Sequence, residues 1–324
     1  MRRSGRREFI RRALGFACGA ALGGGAWAQG KARVALVEAP ELSEVSGRAR
    51  REVYGKMLAQ ALRWLGLSFR RLFSRHDRVG IKVNCLGGPH MCTDPQLAYA
   101  IAERLLFDVG VNVNNIIVFD RQDAELAECG YILNTGARGL RCMGNDNPKA
   151  GYEERLTREG AVSTRLSNIV TTMITALVNV PVLKDHRIAG LTAALKNHFG
   201  CIHSPNKYHP GRCDPFVADV NMIRAIRNNQ RLIVCDCREV LYEGGPDDAP
   251  EYHYRRNAIL VSTDPVALDV IAWRMVDAIR NKHGLGTLAE VGRPPTYIAT
   301  AASADYNLGV GEMGRIQLIG GDLL

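Results

Sequence analysis

Four of the chain's eight histidines, His186, His198, His203 and His209, fall in the stretch KDHRIAGLTAALKNHFGCIHSPNKYHP (184–210), beside Lys184, Lys196 and Lys207. Lysine ammonium groups hold anions, and an imidazole can bind a metal or move protons near neutral pH. These residue types predict a site with a cation for an anionic group, from Lys184 and Lys196, and a His that binds metal or moves protons, with Asn197 orienting the ligand. His198, His203 and His209 form a candidate metal set, although no HExxH or close His pair with ligand spacing is present. A plainer role also suits these residues, because Lys and His are favoured at helix C-termini and in solvated loops.

Open parallel α/β sheets bind ligands beyond the carboxyl ends of their strands. Polar residues stand at four predicted strand ends: Lys82-Val83-Asn84, Asp120-Arg121, Lys184-Asp185-His186 and Ser262-Thr263-Asp264. Lys82, Asn84, Asp120, Arg121 and Asp264 therefore join the expected ligand-binding residues. Asp264 also suits a simpler part, capping a helix that has Pro265 at its first position.

The elements that must carry these residues follow from apolar patterning. Strands are predicted over 32–39, 79–84, 115–120, 176–184, 231–237 and 257–263, and helices over 47–65, 95–110, 188–200, 216–229 and 265–282. Strand, helix and strand within about 40 residues make a βαβ crossover. The expectation is an α/β fold, a mostly parallel sheet flanked by helices, as a single main domain over 29–324. Residues 134–165 lack periodicity and are expected to form an irregular excursion or a lid, and 283–324 are also poorly periodic. No GxGxxG, GxxxxGK[ST] or GxSxG occurs, which leaves standard dinucleotide, nucleoside-triphosphate and hydrolase-elbow sites unsupported.

The net charge of +9 is unevenly placed. Residues 1–28 hold six Arg and one Glu, which is +5, and leave +4 for the 296 residues that follow. That remainder, with no basic–aromatic patch, argues against a nucleic-acid partner. Arg6-Arg7-Glu8-Phe9-Ile10 resembles the twin-arginine export signal. An Ala/Gly-rich apolar run follows, and Ala26-Trp27-Ala28 fits a signal-peptidase site. A signal peptide over 1–28, passage through the twin-arginine translocase and a periplasmic location are thus expected, with no transmembrane segment in the mature chain. Eight Cys would remain, an even number that permits disulfides in an oxidising compartment without fixing pairs. Cys235 and Cys237 should share one face of a strand, where disulfides rarely form. The spacing of the cysteines does not support an iron–sulfur cluster of ferredoxin type.

IKVN with CTDPQLAYAIAERL, IIVFDR, NVPVLKDHRIAGLTAALKNHFG and STDPVALD together resemble the domain of unknown function 362 family, in its twin-arginine-exported branch, over about 75–275. A more distant resemblance, carried by strand–helix–strand order and by His186 followed ten residues later by Lys196, is to the catalytic domain of nickel-dependent lactate racemases. That likeness implies His186 as acid/base and Lys196 as anchor of a nickel-pincer nucleotide. The chain departs from the racemase pattern at Ala193-Ala194-Leu195, at Lys82-Val83-Asn84 and at Asp120-Arg121. The combined expectation is an exported protein holding a small anionic ligand in a Lys/His-lined cleft, with a metal-cofactor-dependent isomerase or redox reaction as its most concrete form. The alternative is a non-catalytic periplasmic binding protein, metallochaperone or assembly factor.

Overall fold

A computed structural model describes residues 31–324. The expected signal peptide lies outside the described residues. The strands are β1 (Ala32–Glu38), β2 (Val79–Lys82), β3 (Ile116–Asp120), β4 (Arg141–Gly144), β5 (Thr157–Glu159), β6 (Val162–Thr164), β7 (Ala176–Asn179), β8 (Val182–His186), β9 (Gly190–Thr192), β10 (Gln230–Leu241), β11 (His253–Ser262) and β12 (Ile316–Gly320). The α-helices are α1 (Gly47–Leu65), α2 (Phe69–Leu72), α3 (Pro95–Arg104), α4 (Asp123–Glu128), α5 (Ala194–Asn197), α6 (Phe216–Met222), α7 (Arg224–Arg227), α8 (Pro265–Lys282) and α9 (Tyr297–Ala302). The main sheet runs β12-β1-β11-β10-β7-β2-β3-β4, with β8 on β10 and β9 on β8. Its site-bearing half is parallel: β10–β7, β10–β8, β7–β2, β2–β3 and β3–β4. Only β11, against β1 and β10, and β9, against β8, run antiparallel.

Helices cover both faces. Val53, Tyr54, Met57, Leu58, Ala61, Leu62 and Leu65 recur on one side of α1 and pack with α3 against Ala35, Ile81, Val118 and Val234. On the other face α6, α8 and α9 pack against Phe119, Ile233, Cys235 and Leu260. Alternation along β10 sorts Val234 to one core and its neighbours Ile233 and Cys235 to the other. Local signals set the helix ends. Asp94 accepts from Gln96 N–H at 2.8 Å ahead of Pro95, and Gly66 closes α1 in the left-handed conformation. Among the described residues, no helix is long and apolar enough to cross a membrane.

Three expected elements differ. The strand over 176–184 breaks at Pro181 into β7 and β8, which pair with successive halves of the twelve-residue β10. The helix over 216–229 breaks at Ile223, whose ψ of 122° is not helical. The helix over 188–200 is mostly absent. Gly190 has φ +81°, Gly190–Thr192 folds back onto β8, and only the single turn α5 follows before a 3₁₀ turn, His198–Cys201. Residues 189–202 are all buried, so apolar spacing there carries no period that could separate helix from strand. Residues 134–165 contribute β4 to the sheet edge and the β5–β6 hairpin.

All eight cysteines among the described residues are free and buried. Cys235 and Cys237 share a face, with sulfurs 4.0 Å apart. Unfolding in excess iodoacetamide without reductant should therefore add eight alkyl groups to the segment 31–324, read by mass spectrometry. Two fewer would mean that a disulfide forms.

Candidate active site

The carboxyl ends of β2, β3 and β8 surround a cleft of about 780 Å³. Its framework is a buried ion pair. Lys82 Nζ lies 2.7 Å from Asp120 Oδ1, and both side chains are almost wholly excluded from solvent. Lys82 also donates to Val83 O at 2.6 Å, and Asp120 Oδ2 accepts from Cys85 N–H at 2.7 Å. Asn197 bridges the pair to the rest of the site. Its Oδ1 accepts from Asn84 Nδ2 at 3.1 Å and Lys82 Nζ at 3.4 Å, and its Nδ2 donates to Asn179 Oδ1 at 2.8 Å. Gly200 lies directly over the ion pair. A Cβ there would sit 2.6 Å from Lys82 Nζ and 2.8 Å from Asp120 Oδ1, so only glycine lets the backbone pass.

His186 occupies the end of β8. Its Nδ1 accepts from the N–H of Ile188 at 3.1 Å and of Ala189 at 3.2 Å. That use of Nδ1 places the ring proton on Nε2. Burial pushes the His186 pKa down to about 2, and Lys196, His209, Lys184 and Arg187 push the same way, so the ring is neutral. His186 Nε2 is buried and without a partner. A neutral imidazole with its N–H free is a hydrogen-bond donor to a developing negative charge, not a base.

Lys196, on α5, lies with Nζ 4.4 Å from the Phe199 ring centroid and 3.4 Å from His209 Nε2. Burial lowers its pKa to about 8, so it is mainly an ammonium at neutral pH. His209 Nδ1 faces Asn206 O at 3.3 Å and donates to it, which leaves Nε2 to accept from Lys196. Burial and Lys196 lower the His209 pKa. The His186 and His209 rings stack, with centroids 5.4 Å apart. Asp269 of α8 fixes this turn from behind: its two oxygens accept from Ala194 N–H at 2.7 Å and Leu195 N–H at 3.1 Å.

Lys82, Asn84, Asp120, Arg121, His186, Lys196, Asn197 and His209 all line the cleft. Their roles differ from expectation. Lys82 is committed to Asp120 rather than to an incoming anion, and Arg121 pairs with Glu125 one helical turn on. Lys184 is fully buried under the turn at Gly87, with Nζ unpartnered, and does not line the cleft. Burial lowers its pKa to about 8. Asp264 is elsewhere. Because β11 is antiparallel, its carboxyl end lies at the opposite edge of the sheet, where Asp264 caps α8 through Ala267 N–H at 2.8 Å and holds Val310 N–H at 2.9 Å. No residue of 134–165 lines the cleft, and Asn145 of that segment donates to the carbonyl of the cleft residue Gly200 at 2.6 Å.

The candidate metal set is not brought together. His198 is buried against Asn221 at 2.7 Å, while the exposed His203 pairs with Ser204 and packs on Tyr152. Only His209 reaches the cleft. Among the described residues no group of three His, Cys, Asp or Glu is arranged for a metal ion. His186 is also poorly disposed as a ligand. A metal-bound His donates its second ring N–H, whereas Nδ1 of His186 accepts two. These residues do not fit a metal-bearing cofactor ligated by His186.

Residue types gave no warning of Thr192 and Phe199, which also line the cleft, or of Asn179 behind it. Thr192 lies in a segment whose strand character was masked by uniform burial. Phe199 and Gly200 stand beside Lys196-Asn197-His198, and that proximity was the available signal.

A parallel-sheet α/β protein with a polar cleft at its strand ends is the class that fold and site define. Residues 79–274 match the family described as domain of unknown function (DUF362), and the chain belongs to that family. No curated protein and no solved structure matches the chain significantly.

The ion pair gives a direct test. Lys82→Met should cost about 3–5 kcal/mol by leaving a buried carboxylate uncompensated. Adding Asp120→Asn, which removes the charge and keeps an acceptor for Cys85 N–H, should recover most of the loss in urea unfolding. Additive losses would show that the pair is not the site's framework.

Proposed function

We propose that the protein is an enzyme acting on a small hydroxy-carboxylate by proton transfer in this cleft. One observation carries the reading: three residues that line the cleft, His186, Thr192 and Asn84, each hold a buried polar atom without a partner (Nε2, Oγ1 and Oδ1), and Lys196, which lines it too, has no carboxylate partner among the described residues. Unpaired buried polar groups are costly, and their gathering in one cavity is the usual mark of a ligand's place. The set has a chemical signature. Lys196 supplies a positive charge for a carboxylate. Asn84 Nδ2 donates to Asn197, which leaves the acceptor Oδ1 for the ligand, so the ligand carries a hydroxyl or comparable donor. His186 Nε2–H donates to an oxygen beside the reacting carbon and stabilises negative charge there. His209, with its lone pair on Nε2, takes and returns the proton while Lys196 stays an ammonium.

We further propose that the protein reaches the periplasm through the twin-arginine translocase. Arg6-Arg7, the Ala/Gly-rich run and Ala26-Trp27-Ala28 support this.

Isothermal titration with 2-hydroxy acids tests the binding claim. The ammonium form of Lys196 is present below pH 8 and is lost above it. Affinity should therefore be flat from pH 5 to 7 and fall by about tenfold per unit well above pH 8. In Lys196→Met it should be at least about tenfold weaker at pH 7 and independent of pH. Affinity that rises above pH 8, or that Lys196→Met leaves unchanged, contradicts the assignment.

A further inference from the structure

The cleft is far larger than its polar lining requires. A three-carbon hydroxy acid has six heavy atoms, and even at the roughly 30 Å³ that a water molecule occupies each it would fill under about a quarter of the 780 Å³. The remaining space has a distinct chemistry. Leu86, Ile188, Pro205 and Pro246 line the same cleft as His186 and Lys196. Leu86 is 40% exposed and Ile188 46%, although both are large apolar side chains. A single exposed Leu or Ile needs no explanation. Four apolar residues that share one cavity with Lys196 and His186, and with the Arg187–Asp247 ion pair, are a different matter, because pockets of mixed lining bind ligands with a polar head and an apolar body.

The wall is also built to stay in place. Ile188 N–H is tied to His186 Nδ1, and Arg187 N–H donates to Gly245 O at 2.9 Å, which holds the 187–188 loop to the turn carrying Pro246. The residue that fixes the His186 tautomer is thus the residue whose side chain meets the outer part of the ligand.

Resting on the hydroxy-carboxylate reading, we infer that the substrate is not a two- or three-carbon acid but one carrying an aryl or branched alkyl group. The carboxylate and hydroxyl meet Lys196 and Asn84, and the apolar group lies against Leu86 and Ile188. Each methylene buried there strengthens binding about fourfold.

The test compares 3-phenyllactate with lactate on the purified full chain by isothermal titration. The inference expects phenyllactate to bind at least tenfold more tightly. Ile188→Asp should erase most of that advantage, read as the ratio of the two affinities, and Leu86→Ala should reduce it by a smaller factor. Both side chains are substantially exposed, so neither change threatens the fold. Equal affinity for the two acids, or an advantage that survives Ile188→Asp, overturns the inference while the hydroxy-carboxylate reading stands. Failure of both acids to bind removes that reading and the inference with it.

Discussion

The site depends on one buried ion pair. Lys82 and Asp120 end adjacent parallel strands, and their contact at 2.7 Å fixes where the chain can go next. Asp120 anchors the turn after β2 through Cys85 N–H, and Lys82 reaches Asn197 on the far side of the cleft. Gly200 then crosses directly above. Removing a charged pair from water is expensive and is offset only when the remaining valences are hydrogen-bonded. Here they are met by Val83 O, Cys85 N–H and Asn197 Oδ1. The pair therefore acts less as a source of stability than as a fixed point from which β2, β3 and the 197–200 turn are placed.

This arrangement sorts the cations of the site. Lys82 and Arg121 are neutralised by Asp120 and Glu125, and Lys184 is enclosed under the Gly87 turn. Lys196 keeps its charge facing the cleft, with an aromatic ring and an imidazole beside it instead of a carboxylate. The histidines are sorted in the same way. Two backbone N–H groups turn His186 into a donor, and Asn206 O turns His209 into an acceptor. Opposite proton demands thus stand on two stacked rings, an arrangement suited to moving a proton across a small ligand.

Much of this was legible in the sequence. Strand-end reasoning found five cleft residues, Lys82, Asn84, Asp120, Arg121 and His186, because in the parallel half of the sheet the carboxyl ends converge, and the Lys/His-rich stretch added Lys196 and Asn197. The same reasoning misplaced Asp264, since the direction of β11 is not written in its own residues. The helix expected over 188–200 failed where uniform burial removes periodicity, and Thr192 was lost with it. The metal set rested on His spacing along the chain, whereas His198 and His203 are held by Asn221 and Ser204. Which ring nitrogen carries the proton depends on backbone N–H groups two and three residues on, and no sequence pattern encodes that.

Whether His186 is a neutral donor in the cleft is measured directly by ¹⁵N long-range correlation NMR of the imidazole rings. His186 should carry its proton on Nε2 and show no titration between pH 5 and pH 8. A His186 ring that is protonated on Nδ1, or that titrates near the ordinary histidine value of about 6.5, would contradict the donor role.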